Sequence, residues 1–458
     1  MATTPSSTDR GQWSGKLGFI LAAAGSAIGL GNIWRFPTSA AQSGGGLFVL
    51  VYLFFVFSIG VPVILAELSL GRETKKNPVG AFAKIAPSSW WPYVGGLGVL
   101  TGFGILAFYA VIAGWTIGYL GQALTGAYGA PMSAEESGQI FTDLISSPTQ
   151  AILLTGIFML LTIWIVKGGI SNGIERTTKI LMPVLFALLI LLAGRAMTLP
   201  GGWEGVTFMF QPDFSELSAG VILGALGQAF FSLSLGMGAM ITYGSYFPDG
   251  ENLHVSGVSV AIFDTLIAIL AGLIIFPALF AAGGSVEAAG PGLVFVVLPT
   301  VFGTLPAGGL LAIAFYALLA IAALTSTISL LEVVVSYFID EKGWARSKAA
   351  WLVGGACFAL AIPSALANGA VPALANIFGT DWLTLNSIIW GNYSLSIGAF
   401  LTCVFVGWKW GMPKAIEVLE QGGHTLPLQG AFGVMIKIIC PLAIAVTITF
   451  IVITGNYL

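Results

Sequence analysis

Apolar stretches long enough to cross a membrane recur along this chain, separated by short polar breaks. A window of roughly 19 residues marks them near 16–41, 46–70, 93–124, 149–167, 175–198, 218–245, 254–282, 309–338, 348–366, 381–408 and 433–456. Most match or exceed the ~20 residues a helix needs to cross about 30 Å of hydrocarbon. The pattern predicts an all-α polytopic membrane protein with eleven transmembrane helices. The spans at 93–124 and 309–338 are long enough to be strongly tilted.

Two spans contain backbone that hydrocarbon should not tolerate. In the first, Lys16 to Ala24 starts as a helix, and Gly25, Gly29, Gly31, Asn32 and Arg35 then follow. Lipid offers no partner to a freed amide or carbonyl, so an interrupted helix survives at depth only against protein or a polar cavity. A half-helix ending near Ile28 presents partly negative carbonyls, and one starting near Leu30 presents partly positive amides. Those ends suit a cation and a carboxylate. A kink packed through its glycines is the plainer reading, but Asn32 and Arg35 serve no lipid-facing bend. The sixth span carries a second interruption, from Gln228 to Gly238. It opens a second set of five spans as the first opens the first set, which reads as two units of opposite topology around a midplane site. The chain then divides into a cytoplasmic tail 1–14, a first repeat 15–198, an extracellular loop 199–217, an inverted second repeat 218–409, a cytoplasmic loop 410–432 and a last helix 433–458.

Composition narrows the class. The 458 residues are 57% hydrophobic and 8% charged, against about 25% charged in soluble domains. No segment is polar enough to form an aqueous domain. Met1 to Gln12 is polar and holds Pro5, so no cleavable signal peptide is expected. Cys357, Cys403 and Cys440 all lie in apolar runs, which argues against a disulfide framework or a thiolate metal site. A net charge of −3 gives no reason to expect a nucleic-acid partner. The placement of charge says more: with a cytoplasmic N-terminus, every Lys and Arg except Arg35 and Arg195 falls on the cytoplasmic side, as the positive-inside bias requires. The C-terminus then lies outside a multi-pass protein of the plasma or inner membrane.

Three carboxylates fall inside spans: Glu67, Asp264 and Glu332. Each costs about 2.5–3.5 kcal/mol near a helix centre and needs a partner or a role. Structural pairing is an even alternative for Glu67 and Glu332. Asp264 has no basic neighbour in sequence and invites a cation. In the eighth span Ala322, Thr325 and Ser326 share one helix face. Such hydroxyls commonly bond back to their own helix. Set opposite the carbonyls of a broken helix, they instead make an oxygen cage for a hard cation, unsuited to zinc or copper. Sodium is the natural occupant.

The run GSAIGLGNIWRFP with SGGG after it, FFSLSLGMG in the sixth span and LTSTIS in the eighth strongly resemble the neurotransmitter:sodium symporter family, particularly its bacterial amino-acid members. The resemblance runs from Arg10 to the eleventh span and implies the five-plus-five inverted repeat. This chain ends after eleven spans where many members have twelve. The resemblance further implies two sodium sites: Ala27, Asn32, Ser232 and Asp264 in one, and Gly25, Ile28, Ala322, Thr325 and Ser326 in the other. It implies a substrate carboxylate at the amides of Leu30 and Gly31 and the hydroxyl of Tyr109, near Ala27 and Ser232. Gly29 stands where monoamine carriers place an acid. The substrate side chain would lie against Ile105, Phe231, Ser234, Met237, Ser326 and Leu330. An outer gate would pair Arg35 with Asp381 beside Gln228, and an inner gate would set Arg10 and Trp13 against Asp340 beside Tyr246.

The expected function is sodium-coupled symport of a neutral, hydrophobic or aromatic L-amino acid by alternating access, without chloride and without catalysis. A monomer suffices for this, with the lipid bilayer and the amino acid as partners. The alternatives are a transport-inactive amino-acid sensor on the same scaffold, or an ion channel. A sensor would normally carry a polar signalling tail, and a channel needs a continuous polar path that Phe231 and Ile105 oppose.

Overall fold

The computed structural model describes residues 11–284 and 292–455. In chain order the spanning elements are α1a (Lys16–Ala27) and α1b (Gly31–Gln42), α2 (Gly46–Thr74), α3 (Pro92–Leu124), α4 (Pro148–Lys167) and α5 (Ile170–Met197). They continue with α6a (Ala219–Ser232) and α6b (Ala239–Ser245), then α7 (Leu253–Ala281), α8 (Gly308–Lys342), α9 (Arg346–Leu366), α10 (Trp382–Glu420) and α11 (Gln429–Thr454). Among the described residues nine of these are long and apolar enough to cross a membrane, and the α1a–α1b pair, bent by 52°, makes a tenth span. The eleventh expected span is the α6a–α6b pair, neither piece of which reaches span length. The only β pairing among the described residues is two isolated bridges, Gly45 with Pro212 and Ile377 with Thr380.

The two halves match over their first four elements. Each opens on an interrupted helix. Then α2 and α7 are both 29 residues, α3 and α8 are 33 and 35, and α4 and α9 are 20 and 21. At 1.5 Å per residue α3 and α8 are about 50 Å long, so they cross a 30 Å core only by tilting. They pack on one another and are buried along most of their length. This tilted pair forms the frame against which the interrupted helices lie.

Two boundaries differ from those the sequence suggests. The segment expected as a loop from 410 remains helical to Glu420, because Met412, Ala415, Val418 and Leu419 give it one apolar face that packs on α2. The outer loop 199–217 holds a short helix, Gly202–Phe210, laid against α7. Cys357, Cys403 and Cys440 are free and buried.

Candidate functional site

The first interruption frees backbone groups, and side chains from three other helices meet them. α1a ends at Ala27, Ile28 turns to ψ 112°, and the helix resumes at Gly31. The Gly29 amide donates to Asn32 Oδ1 at 3.1 Å and the Leu30 amide to Tyr109 Oη at 2.9 Å. The Ser26 carbonyl accepts from Ser234 Oγ and Ser326 Oγ. The Ile28 carbonyl accepts from Ser326 Oγ at 3.1 Å and Thr325 Oγ1 at 3.4 Å. The break is therefore satisfied by α3, the α6 interruption and α8, as burial in an apolar medium demands.

The second interruption is set by its own glycines. Gly236 and Gly238 take φ of 82° and 74°, and Ser234 takes 55°, a region costly to all but glycine. The Gly236 amide donates to Glu67 Oε1 at 2.7 Å. Glu67 thus holds the unwound backbone from the neighbouring α2, while its Oε2 has no hydrogen-bond partner among the described residues.

Between the two breaks lies a cavity of about 30 Å³. Ala27, Gly29, Gly31, Ile105, Tyr109, Phe231, Ser234, Met237, Ser326 and Leu330 line it. Of the expected substrate contacts only Leu30 and Ser232 do not: Leu30 holds Tyr109 through its amide, and Ser232 faces the acid described next. Ser26 and Leu395 also line the cavity and were missed. Leu395 stands in α10, whose sequence carries no strong motif.

Beside the cavity, Asp264 is fully buried and sits in a network of polar side chains. Asn32 Nδ2 donates to Asp264 Oδ1 at 2.7 Å, to the Asp264 carbonyl and to Ser232 Oγ, both at 3.0 Å. Ser232 Oγ donates to Asp264 Oδ2 at 2.7 Å, and Tyr52 Oη donates to the same oxygen at 3.3 Å. Three of the four expected residues of the first ion site, Asn32, Ser232 and Asp264, thus meet, and the fourth, Ala27, lines the neighbouring cavity. Tyr52 is an addition, and its only sequence signal is that a tyrosine hydroxyl within a span needs a partner. A positively polarised NH₂ among three oxygens marks a position that also suits a hard cation. The second oxygen group is tighter on α8: Thr325 Oγ1 bonds the Ala322 carbonyl at 3.0 Å as well as Ile28. A Cβ on Gly25 would lie 3.3 Å from Thr325 Cβ, so Gly25 brings α1a against α8. Among the described residues no three His, Cys, Asp or Glu side chains converge as a metal cluster.

The outer gate requires a correction. The structure does not bring Arg35 and Asp381 together. Asp381 is the N-cap of the helix that opens α10, accepting from the Thr384 amide at 2.9 Å and from its hydroxyl at 2.6 Å. Arg35 stacks 4.4 Å above the Phe231 ring and reaches Asn392 Oδ1 at 3.4 Å. Gln228 Nε2 ties to the Gly31 carbonyl at 2.9 Å.

Of the residues expected at the inner gate, Trp13 and Tyr246 fall in one buried network. Trp13 is buried, donating through its amide to the Tyr246 carbonyl and through Nε1 to the Tyr243 carbonyl. Tyr246 Oη donates to Glu332, which also takes a bidentate pair from Arg346 at 2.7 and 2.8 Å. Arg346 in turn donates to the Val166 carbonyl. Asp340 accepts from the Asn77 amide at 2.8 Å and from its side chain. Arg10 lies outside the described residues. Sequence reasoning missed Arg346, the partner of Glu332 across the α8–α9 turn.

Comparison with known proteins places this geometry. The chain is 44% identical to MhsT, solved in complex with L-phenylalanine, with a TM-score of 0.88 over 96% of this chain and 99% of that one. It is 38% identical to the uncharacterized sodium-dependent transporter YhdH of Bacillus subtilis, over 90% of this chain and 91% of that protein. It is 27% identical to the sodium-dependent dopamine transporter of Caenorhabditis elegans, over 92% and 77%. The description Sodium:neurotransmitter symporter family matches residues 10–134 and 140–457. Two interrupted helices enclosing a small cavity beside a buried acid are here the property of a sodium-dependent transporter rather than an enzyme, and the chain belongs to the sodium:neurotransmitter symporter family.

Proposed function

We propose that this chain is a sodium-coupled symporter of neutral L-amino acids with apolar or aromatic side chains, working by alternating access and without chloride. The observation that carries this is the small cavity between the two breaks, lined by Tyr109, which holds the Leu30 amide, with the network of Asp264, Asn32 and Ser232 next to it. An amino-acid carboxylate replaces Tyr109 as acceptor of the Leu30 amide and accepts a second hydrogen bond from the Tyr109 hydroxyl. One sodium ion sits against the same carboxylate among Asp264, Ser232 and the Ala27 carbonyl, with Asn32 turning its oxygen inward. The other sits among Gly25, Ile28, Ala322, Thr325 and Ser326. Two sodium ions entering supply about 4.6 kcal/mol per 100 mV, enough for roughly thousandfold accumulation.

The side-chain preference rests on the other wall. A cavity of about 30 Å³ holds roughly one water, so binding moves Phe231 and Met237. Met237 is a flexible thioether between two left-handed glycines, and can yield to a bulky side chain. The bound phenylalanine of MhsT is consistent with this.

The proposed topology puts the N-terminus and the Trp13–Tyr246–Glu332–Arg346 network in the cytoplasm and the C-terminus outside, in a plasma or inner membrane. The two repeats are taken as 15–198 and 218–409. Uptake of labelled leucine, phenylalanine and tryptophan into proteoliposomes, with and without an inward sodium gradient, tests the proposal. Gradient-driven accumulation is expected. Binding without uptake would make the chain a sensor, and preference for glycine or a charged amino acid would refute the pocket reading.

A further inference from the structure

The turn between α4 and α5 has two chemically different sides. Its inner side grips the segment that leads into α1a. Ser171 Oγ donates to the Gln12 carbonyl at 2.8 Å, and the Ser14 amide donates to Glu175 Oε2 at 2.9 Å. The Ser14 hydroxyl donates to the other carboxylate oxygen, and Lys179 reaches both Glu175 at 2.6 Å and Ser14 Oγ at 3.0 Å. Trp13 lies between these anchors. The inner gate therefore hangs from this turn.

The outer side opens into a cavity of about 570 Å³, lined among others by Trp164, Lys167, Asn172, Arg176, Thr177 and Ile180. Trp164 and Ile180 are 70% and 59% exposed, which suits contact with lipid rather than water. Lys167 and Arg176 line the same cavity and form no ion pair among the described residues. Glu175, the acid next to Arg176, is turned inward to Ser14 and Lys179. Two cations without an ion pair among the described residues thus share a groove whose walls include a tryptophan and an isoleucine. A soluble anion would satisfy the cations and leave those walls unused, and a zwitterionic headgroup would bring its own cation against them. Basic pockets between helices on the cytoplasmic side suit anionic headgroups, and tryptophan suits the interface.

We propose that this groove binds one anionic phospholipid, its phosphate on Lys167 and Arg176 and an acyl chain along Trp164 and Ile180. Occupancy braces the α4–α5 turn and thereby holds Gln12–Ser14 in place, keeping the inner gate shut. The test uses the full chain in nanodiscs of phosphatidylcholine alone or with phosphatidylglycerol. Lipid retained by the purified protein is counted by native mass spectrometry, and hydrogen exchange is followed at the amides around Gln12–Ser14. Phosphatidylglycerol is expected to be retained and to slow that exchange in the wild type. Lys167→Gln with Arg176→Gln is expected to weaken retention roughly thirtyfold and to remove the slowing. Lys179→Gln, which faces the other side, is expected to keep retention. Equal retention by wild type and double variant overturns the proposal. So does equal protection by millimolar glycerol 3-phosphate in phosphatidylcholine discs, which would mark a soluble-anion site. Neither readout depends on the transported substrate.

Discussion

At Gly29 a Cβ would lie 2.6 Å from the Tyr109 hydroxyl oxygen and collide with Ser326 Oγ, and with glycine there this chain offers no acidic side chain from the α1 break. The substrate must bring its own carboxylate to the Leu30 amide. In a competition binding assay tryptophan should displace a bound neutral amino acid while tryptamine should not, and comparable displacement by both would refute this. Thr325 gives the second prediction. Ser326 bonds the α1a carbonyls and also lines the cavity, so removing both hydroxyls would disturb ion and substrate together. Thr325 touches only the oxygen group. Thr325→Ala should raise the sodium concentration for half-maximal uptake at least roughly tenfold, the scale of one hydrogen bond to a charge, while substrate binding at saturating sodium survives. Unchanged sodium dependence would remove Thr325 from the site. Asp381 stands three residues before Thr384 at the start of an apolar run, a helix-capping pattern. That local signal outweighed the gate role implied by resemblance.

Both interrupted helices were legible because irregular backbone in a span is costly enough to need a reason, and the glycines at 236 and 238 show that reason geometrically. At Gly236 the left-handed φ coincides with crowding: a Cβ would overlap the Leu395 carbonyl and lie 2.6 Å from the Ala399 amide. Gly236→Ala should therefore cost at least about 1–2 kcal/mol from backbone alone, more with the overlap, and lower the unfolding midpoint in detergent. Gly194, inside α5 with nothing within 4 Å of its virtual Cβ, provides the contrast. Gly194→Ala should leave the midpoint unchanged or raise it, by up to about 1 kcal/mol of stability. A similar fall in both variants would show that these glycines act through helix propensity rather than shape. The pairing of Glu332 with Arg346 was less legible, because the arginine also serves the charge bias and nothing in spacing shows that the α8–α9 turn folds it back. The short helix Met412–Glu420 was missed for a different reason: Lys409, Gly411 and Pro413 read as an exit from the membrane, and the chain does turn at Gly411, with φ 98°, but the amphipathic face beyond folds a further helix along α2.

Across the whole molecule the fixed charges are divided in a way that bears on the transport cycle. Among the described residues the Trp13 end of the bundle holds the ion pairs Glu332 with Arg346, Lys75 with Asp249 and Glu175 with Lys179. The centre holds Asp264, whose described polar partners are Asn32, Ser232 and Tyr52, with no cationic side chain among its hydrogen bonds. On the proposed reading, the negative charge beside the first ion is therefore part of the protein. Carriers in the family that require chloride resemble this chain elsewhere but have neutral residues around this ion site, and an anion from solution completes the balance. A carboxylate about 4 Å from sodium contributes about 4 kcal/mol at an effective dielectric of 20, before desolvation. A chloride ion beside Asp264 would be repelled by a similar amount, so it has no stabilising place. Uptake measured with chloride replaced by gluconate at fixed sodium should be unchanged. Asp264→Asn keeps the size of the side chain and deletes the charge, so it should either abolish uptake or make it depend on chloride. Loss of wild-type uptake in gluconate, or chloride-independent uptake by the Asp264→Asn variant at wild-type rate, would overturn the assignment of Asp264 as the fixed counter-charge.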